Sequence, residues 1–184
     1  MTLLDCLHSP GQEFGPPKTA PEKHGNHWRG WRAGVAAGTL FTYFANKEEL
    51  LNELYVELKG EVYTRINANF PNKGSPERSA RHICSSVLNW AIEFPEKRKA
   101  AVQLNVSDLI TPETRMRTAA QRETIERTLS ALETGSALCG LPPGFATATM
   151  AAMQEATMEF IAKQPKQREE LLEQAFQVFW RAVR

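Results

Sequence analysis

From Lys47 to the last residue, apolar side chains recur at three- and four-residue steps, and nearly every interruption carries a proline or glycine. That pattern leaves little but helices. One long helix is predicted from Lys47 to about Asn69, with Leu51, Leu54, Tyr55, Leu58, Val62 and Ile66 inward and Glu53, Glu57 and Glu61 toward solvent. Ser75-Pro76-Glu77 restarts the chain through a serine cap and a proline at the first helical position, and Pro95 ends that helix after Phe94. A short helix over Pro95–Val106 and a long polar one from Thr111-Pro112-Glu113 to about Leu138 follow. Gly135–Gly144 breaks the chain again. Phe145–Lys163 and Lys166–Arg184 are then the two most apolar helices, the first with Ala148, Ala151, Ala152 and Ala156 allowing close approach. The expected class is all-α.

The stretch Ala33–Leu51 is of a different kind. Ala33-Gly34-Val35 is a turn signal that lets two short helices meet at a sharp angle. A short helix over about Ala36–Phe44 would carry Ala37, Gly38, Thr39 and Thr42 on one side, with Leu40, Phe41 and Phe44 seating the other on a core. Asn46 can then cap the next helix while Glu49 reaches back.

Ala33-Gly34-Val35, Gly38-Thr39-Leu40, Tyr43-Phe44, Lys47 and Leu50 stand in the register of the turn, recognition helix and following helix of TetR/AcrR-type transcriptional regulators, which this chain resembles. The resemblance implies a TetR-like fold: a helix-turn-helix, then a helical bundle that binds a ligand and dimerises. It divides the chain into an atypical segment at 1–32, a helix-turn-helix remnant at 33–46 and an effector and dimerisation domain at 47–184. A recognition helix reads base edges in the major groove through its N-terminal residues. Ala37 and Gly38 would allow close approach, and Thr39 and Thr42 would meet bases or phosphate. Tyr43 and Lys47 would hold phosphates.

The family also carries two helices before the turn, and residues 1–32 do not read as helices. They hold Pro10, Pro16, Pro17 and Pro21 with four glycines, and no 3.6-residue apolar stripe crosses Pro10–Arg32. The expectation is a shifted reading frame or an unrelated fusion, the alternative a genuine disordered arm. Either way the recognition helix lacks its scaffold, and operator binding by this chain is expected to be impaired. Cys6, His8, His24 and His27 lack the paired short spacing of a metal site, so no metal and no cofactor is expected.

Within the bundle, Tyr55, Trp90, Met153 and Phe160 are expected to line an effector cavity, with Cys84 and Glu155 as polar handles. An aromatic cavity with few polar groups suits flat, hydrophobic, often cationic ligands. Leu88-Asn89-Trp90, Gln103-Leu104-x-Val106-Ser107 and Glu155-x-Thr157-Met158-x-Phe160 resemble the repressors that control multidrug efflux. The last two helices offer more apolar surface than one partner needs, and the resemblance implies a four-helix homodimer seam there.

Other classes fit less well. No Ser-His-acid set or phosphate-cradling glycine loop is present, and His82 is the one histidine of the helical body, so no enzyme is expected. A net charge of +1 selects no anionic partner globally. Three cysteines without paired spacing, no apolar run of membrane-spanning length and no signal-peptide layout suit a cytoplasmic protein. The competing function is a helical dimerisation or interaction module without DNA binding.

Overall fold

A computed structural model describes residues 44–134 and 137–183, and all the regular structure among them is helical. The recognition-helix residues Ala37, Gly38, Thr39, Thr42 and Tyr43, and the whole of 1–32, lie outside the described residues.

Helix α1 spans Lys47–Asn67. Its start is written locally. The Asn46 side chain accepts from the Glu49 amide at 2.8 Å, and the Glu49 carboxylate accepts from the amide of Ala45, one residue before the cap, at 2.6 Å. One of the first-turn amides that a helix start leaves unpaired is thereby satisfied, together with the amide just before the cap. The helix ends two residues short of expectation: Ala68 is extended and Asn69 turns to φ +56°, a left-handed conformation that asparagine tolerates.

Helix α2, Pro76–Glu93, is the central element, packed against α1 and every later long helix. Ser75 caps it by accepting from the Arg78 amide at 3.2 Å. Its buried face carries Ala80, Ile83, Cys84, Leu88, Trp90 and Ala91, and burying one such large aliphatic side chain is worth about 1.5–3 kcal/mol. His82 is half-buried, its Nε2 2.8 Å from the Ile66 carbonyl and its ring edge-on to Phe70. A donor at Nε2 fits that contact, and the residue ties α2 to the end of α1.

Helix α3 spans Pro95–Asn105. The long polar helix expected after Thr111 is two helices, α4 at Pro112–Arg117 and α5 at Ala119–Glu133. Thr118 divides them. It is almost fully buried, its hydroxyl donates to the Arg115 carbonyl at 3.1 Å, and its backbone turns to φ −97°, ψ 0°. A threonine that bonds the preceding turn competes with the helix ladder.

Helix α6, Phe145–Lys163, starts on Gly144 at φ +88°, a conformation that favours glycine, so the cap residue has no side chain to offer. Glu133, at the end of α5, substitutes for it: one carboxylate oxygen accepts from the amides of Gly144 at 3.1 Å and Ala146 at 3.0 Å. After a 3-10 turn at Pro165–Gln167, α7 runs over Arg168–Val183 and packs along α6. Phe176, Phe179 and Val183 close the core from that side.

Candidate functional site

Lys47 is the one expected DNA contact within the described residues. It occupies the first position of α1, exposed beside Glu48 and Glu49. A buried residue one turn further fastens this end of α1 to the bundle. Asn52 donates through Nδ2 to the carbonyls of Glu48 and Leu109, both at 2.8 Å, and accepts from the Thr111 amide at 3.0 Å. It is 7% exposed. All three bonds use geometry that only an amide side chain supplies. Beside it Glu53 pairs with Arg117 through both carboxylate oxygens, which holds the Glu53 carboxyl below its ordinary range. The N-terminal end of α1 is therefore clamped to α4 and to the loop before it.

The six expected effector residues separate into three groups. Tyr55, Cys84 and Trp90 are buried in the core, and Met153 packs against it from α6. Glu155 points outward and is taken by Arg98. Phe160 is 52% exposed with Lys163 over its ring at 5.6 Å, so the structure does not bring it together with the interior residues. Ile161, the next residue and about 100° further round the helix, turns inward instead.

The interior polar groups came from residues that periodicity assigns elsewhere. Glu61, expected toward solvent, is half-buried: Trp90 Nε1 donates to it at 3.2 Å and Lys97 Nζ pairs with it at 2.7 Å. Lys97 also stands 5.0 Å above the Phe94 ring, which tilts toward Trp90. A carboxylate and aromatic rings of this kind would suit a cation, and a lysine of the chain already occupies the place. Burial pushes the Cys84 thiol up, and the neighbouring Gln154 amide opposes that in part. Gln154 is itself buried, and its Nε2 has no hydrogen-bond partner.

On the other side of α1, Tyr55 meets Lys59 and Arg115, whose charged groups lie 5.5 and 5.4 Å from its ring centroid. Tyr63, one turn beyond Lys59, is buried, which pushes its hydroxyl up in pKa, and the charge of Arg122 of α5 opposes that. The spacing Tyr55-Lys59-Tyr63 was readable as one face of a helix, and that face was assigned through its apolar members alone.

Among the described residues no three histidine, cysteine or acidic side chains converge as a metal site would need, and no helix is long and apolar enough to cross a membrane.

Residues 31–54 match the family model of bacterial regulatory proteins of the tetR family, so the match runs from the unassigned segment into the first two turns of α1. The whole fold is similar to a solved structure from Shewanella sp. PV-4 assigned to the tetR family of transcription regulators. The TM-score is 0.66 and the sequence identity 25%, over 81% of this chain and 81% of that one. The chain thus has the all-α fold of a TetR-family regulator and carries that family's N-terminal signature over residues 31–54.

Proposed function

We propose that this protein is a ligand-responsive transcriptional repressor, with a DNA-reading element at 33–46 and an effector and dimerisation domain at 47–184. One observation carries the reading: the family signature at 31–54 runs without a break into α1, whose first two turns are capped by Asn46 and clamped by Asn52 and Glu53. A reading helix joined there would be coupled to the bundle through α1. Ala37, Gly38, Thr39, Thr42, Tyr43 and Lys47 are the proposed DNA contacts, and Tyr55, Cys84, Trp90 and Met153 the proposed interior ligand contacts. The efflux-repressor-like signals around Trp90, Leu104 and Thr157 support a small hydrophobic ligand. A cationic one at Glu61 or Glu155 would have to displace Lys97 or Arg98.

The exposed side of α6 supports a homodimer of the cytoplasmic kind expected for such regulators. Phe145, Ala148, Ala152, Ala156 and Phe160 are all exposed and fall within about a third of the helix circumference, and Val178 of α7 is 58% exposed. Phe160 thereby gains a role at the seam in place of one in the cavity. Light scattering after gel filtration should give a dimer, and Ala152→Arg a monomer with unchanged helix content; a monomeric wild type would reject the seam.

A fluorescence-anisotropy titration against DNA from upstream of its own gene tests the repressor reading. It should be run beside a version whose residues 1–32 are replaced by two amphipathic helices of the family kind. The native chain is expected to bind weakly, because 1–32 shows no helical periodicity to brace the reading helix. Tight, salt-sensitive binding by the repaired version alone upholds both statements. Tight binding by the native chain refutes the impairment. No binding by either favours the interaction-module reading.

A further inference from the structure

Three cations converge where α4 and α5 pack on α1. Lys59 and Arg115 both approach the Tyr55 ring, and Arg122 of α5 lies near enough for its charge to act on Lys59. Among the described residues one carboxylate is paired within the group: Glu126, held by Arg122 at 2.5 Å. Arg115 donates to the Asn105 carbonyl at 3.2 Å, and among the described residues no acid pairs with Lys59 or Arg115. A half-buried ammonium placed near two guanidiniums without its own counter-ion opposes folding, an arrangement found where a ligand completes the charge balance.

We propose that Lys59, Arg115 and Arg122 form a binding site for a small organic anion, a carboxylate or phosphate ester, at the junction of α1, α4 and α5. Lys59 lies twelve residues from Lys47, about 18 Å along the helix, too far to share a DNA phosphate with it. The anion would supply the charge that Lys59 lacks and compete with Glu126 for Arg122, while the Tyr55 and Tyr63 rings wall the site. Burial, then Arg115 and Arg122, bring the Lys59 pKa down to about 8, so the site is charged at neutral pH and loses charge just above it. As an effector site it rests on the proposed function; as a binding site it rests on the cluster alone.

Isothermal titration of the full chain at pH 7 with benzoate and phenyl phosphate tests this, with benzamide and benzamidine as neutral and cationic counterparts. Both anions should bind saturably, at least tenfold more tightly than benzamide, and benzamidine should not bind. Lys59→Met should weaken the anions at least tenfold. Wild-type affinity should fall between pH 7 and 9. The groups facing Lys59 are Tyr55 and Tyr63 of α1, Arg115 of α4, and Arg122 and Glu126 of α5, so the fall is assigned by Lys59→Arg. That variant should retain binding at pH 7 and lose the pH dependence; because it keeps the positive charge, it also controls for misfolding of Lys59→Met. Equal or tighter binding of benzamide or benzamidine, no saturable binding of either anion, or anion binding unchanged in a folded Lys59→Met overturns the proposal. Failure to bind operator DNA bears on the repressor reading and leaves these outcomes as they stand.

Discussion

Replacing Asn52 by alanine isolates the clamp between α1 and the rest of the bundle. The side chain makes two tertiary hydrogen bonds, to the Leu109 carbonyl at 2.8 Å and from the Thr111 amide at 3.0 Å, and one bond within its own helix. Each tertiary bond contributes about 1 kcal/mol net, and a buried partner left without a bond costs about 1–3 kcal/mol. Leu109 is 42% exposed, so water can reach its carbonyl, whereas the Thr111 amide is more enclosed. Alanine is the better helix former by about 0.5 kcal/mol, which offsets part of the loss. The expected net destabilisation is about 2–3 kcal/mol. In a chain of this size that lowers Tm by roughly 4–12 °C.

Urea unfolding followed by circular dichroism measures it, with Asn52→Asp as the informative companion. Aspartate keeps the acceptor for Thr111 but turns an oxygen toward the Leu109 carbonyl, so near neutral pH it should cost at least as much as alanine. A loss below about 0.5 kcal/mol for alanine, or an aspartate variant as stable as wild type, would refute the clamp. If the repressor reading holds, the same variant should also weaken the effect of ligand on DNA affinity, since α1 would no longer move with α4.

Other outcomes follow from single contacts. Glu133→Ala should destabilise by about 1–2 kcal/mol in urea unfolding, because it removes the carboxylate that caps α6 from α5; an unchanged midpoint would deny that role. Lys59→Met should stabilise the ligand-free protein at pH 7 by up to about 3 kcal/mol. The folded pKa lies below the unfolded one, so the unfolded chain binds more protons between about pH 8 and 10.5 and wild-type stability gains with pH there relative to the variant. The difference between the two curves should therefore shrink as pH rises from 8; a constant difference would contradict the burial of that ammonium. On brief treatment with iodoacetamide, mass spectrometry should find Cys139 alkylated well before Cys84, whose thiol is buried and pushed up in pKa. Equal rates would show that the α2–α6 interior opens readily.

The helical class, the helix starts and most of the core face were legible in the sequence because they depend on neighbours in the chain. Asn46, Ser75 and Thr111 each accept an amide three residues ahead, and proline at the first position of α2 and α4 reinforces the last two. Leu54, Tyr55, Leu58 and Ile66 share a stripe whose spacing alone marks it as buried. The family register at Ala33–Leu51 is local in the same sense, and it fell inside the matched residues 31–54.

What tertiary structure decided are the pairings that cross the chain. No local rule says that Asn52 meets residues 57 and 59 positions away, or that Glu133 caps a helix beginning twelve residues later. Glu61 looks solvent-facing on a helical wheel, yet α2 and α3 cover that side and bring Trp90 and Lys97 to it. Thr118 breaks a continuous polar pattern because its burial favours the backbone bond over solvent. Phe160 and Ile161 are equally apolar, and only the position of α7 and the rest of the core selects which one turns inward. Periodicity identifies a helix and the width of its apolar face. Which neighbour covers each edge of that face is a long-range contact, and it decides whether a charge there is solvated, paired or left for a ligand.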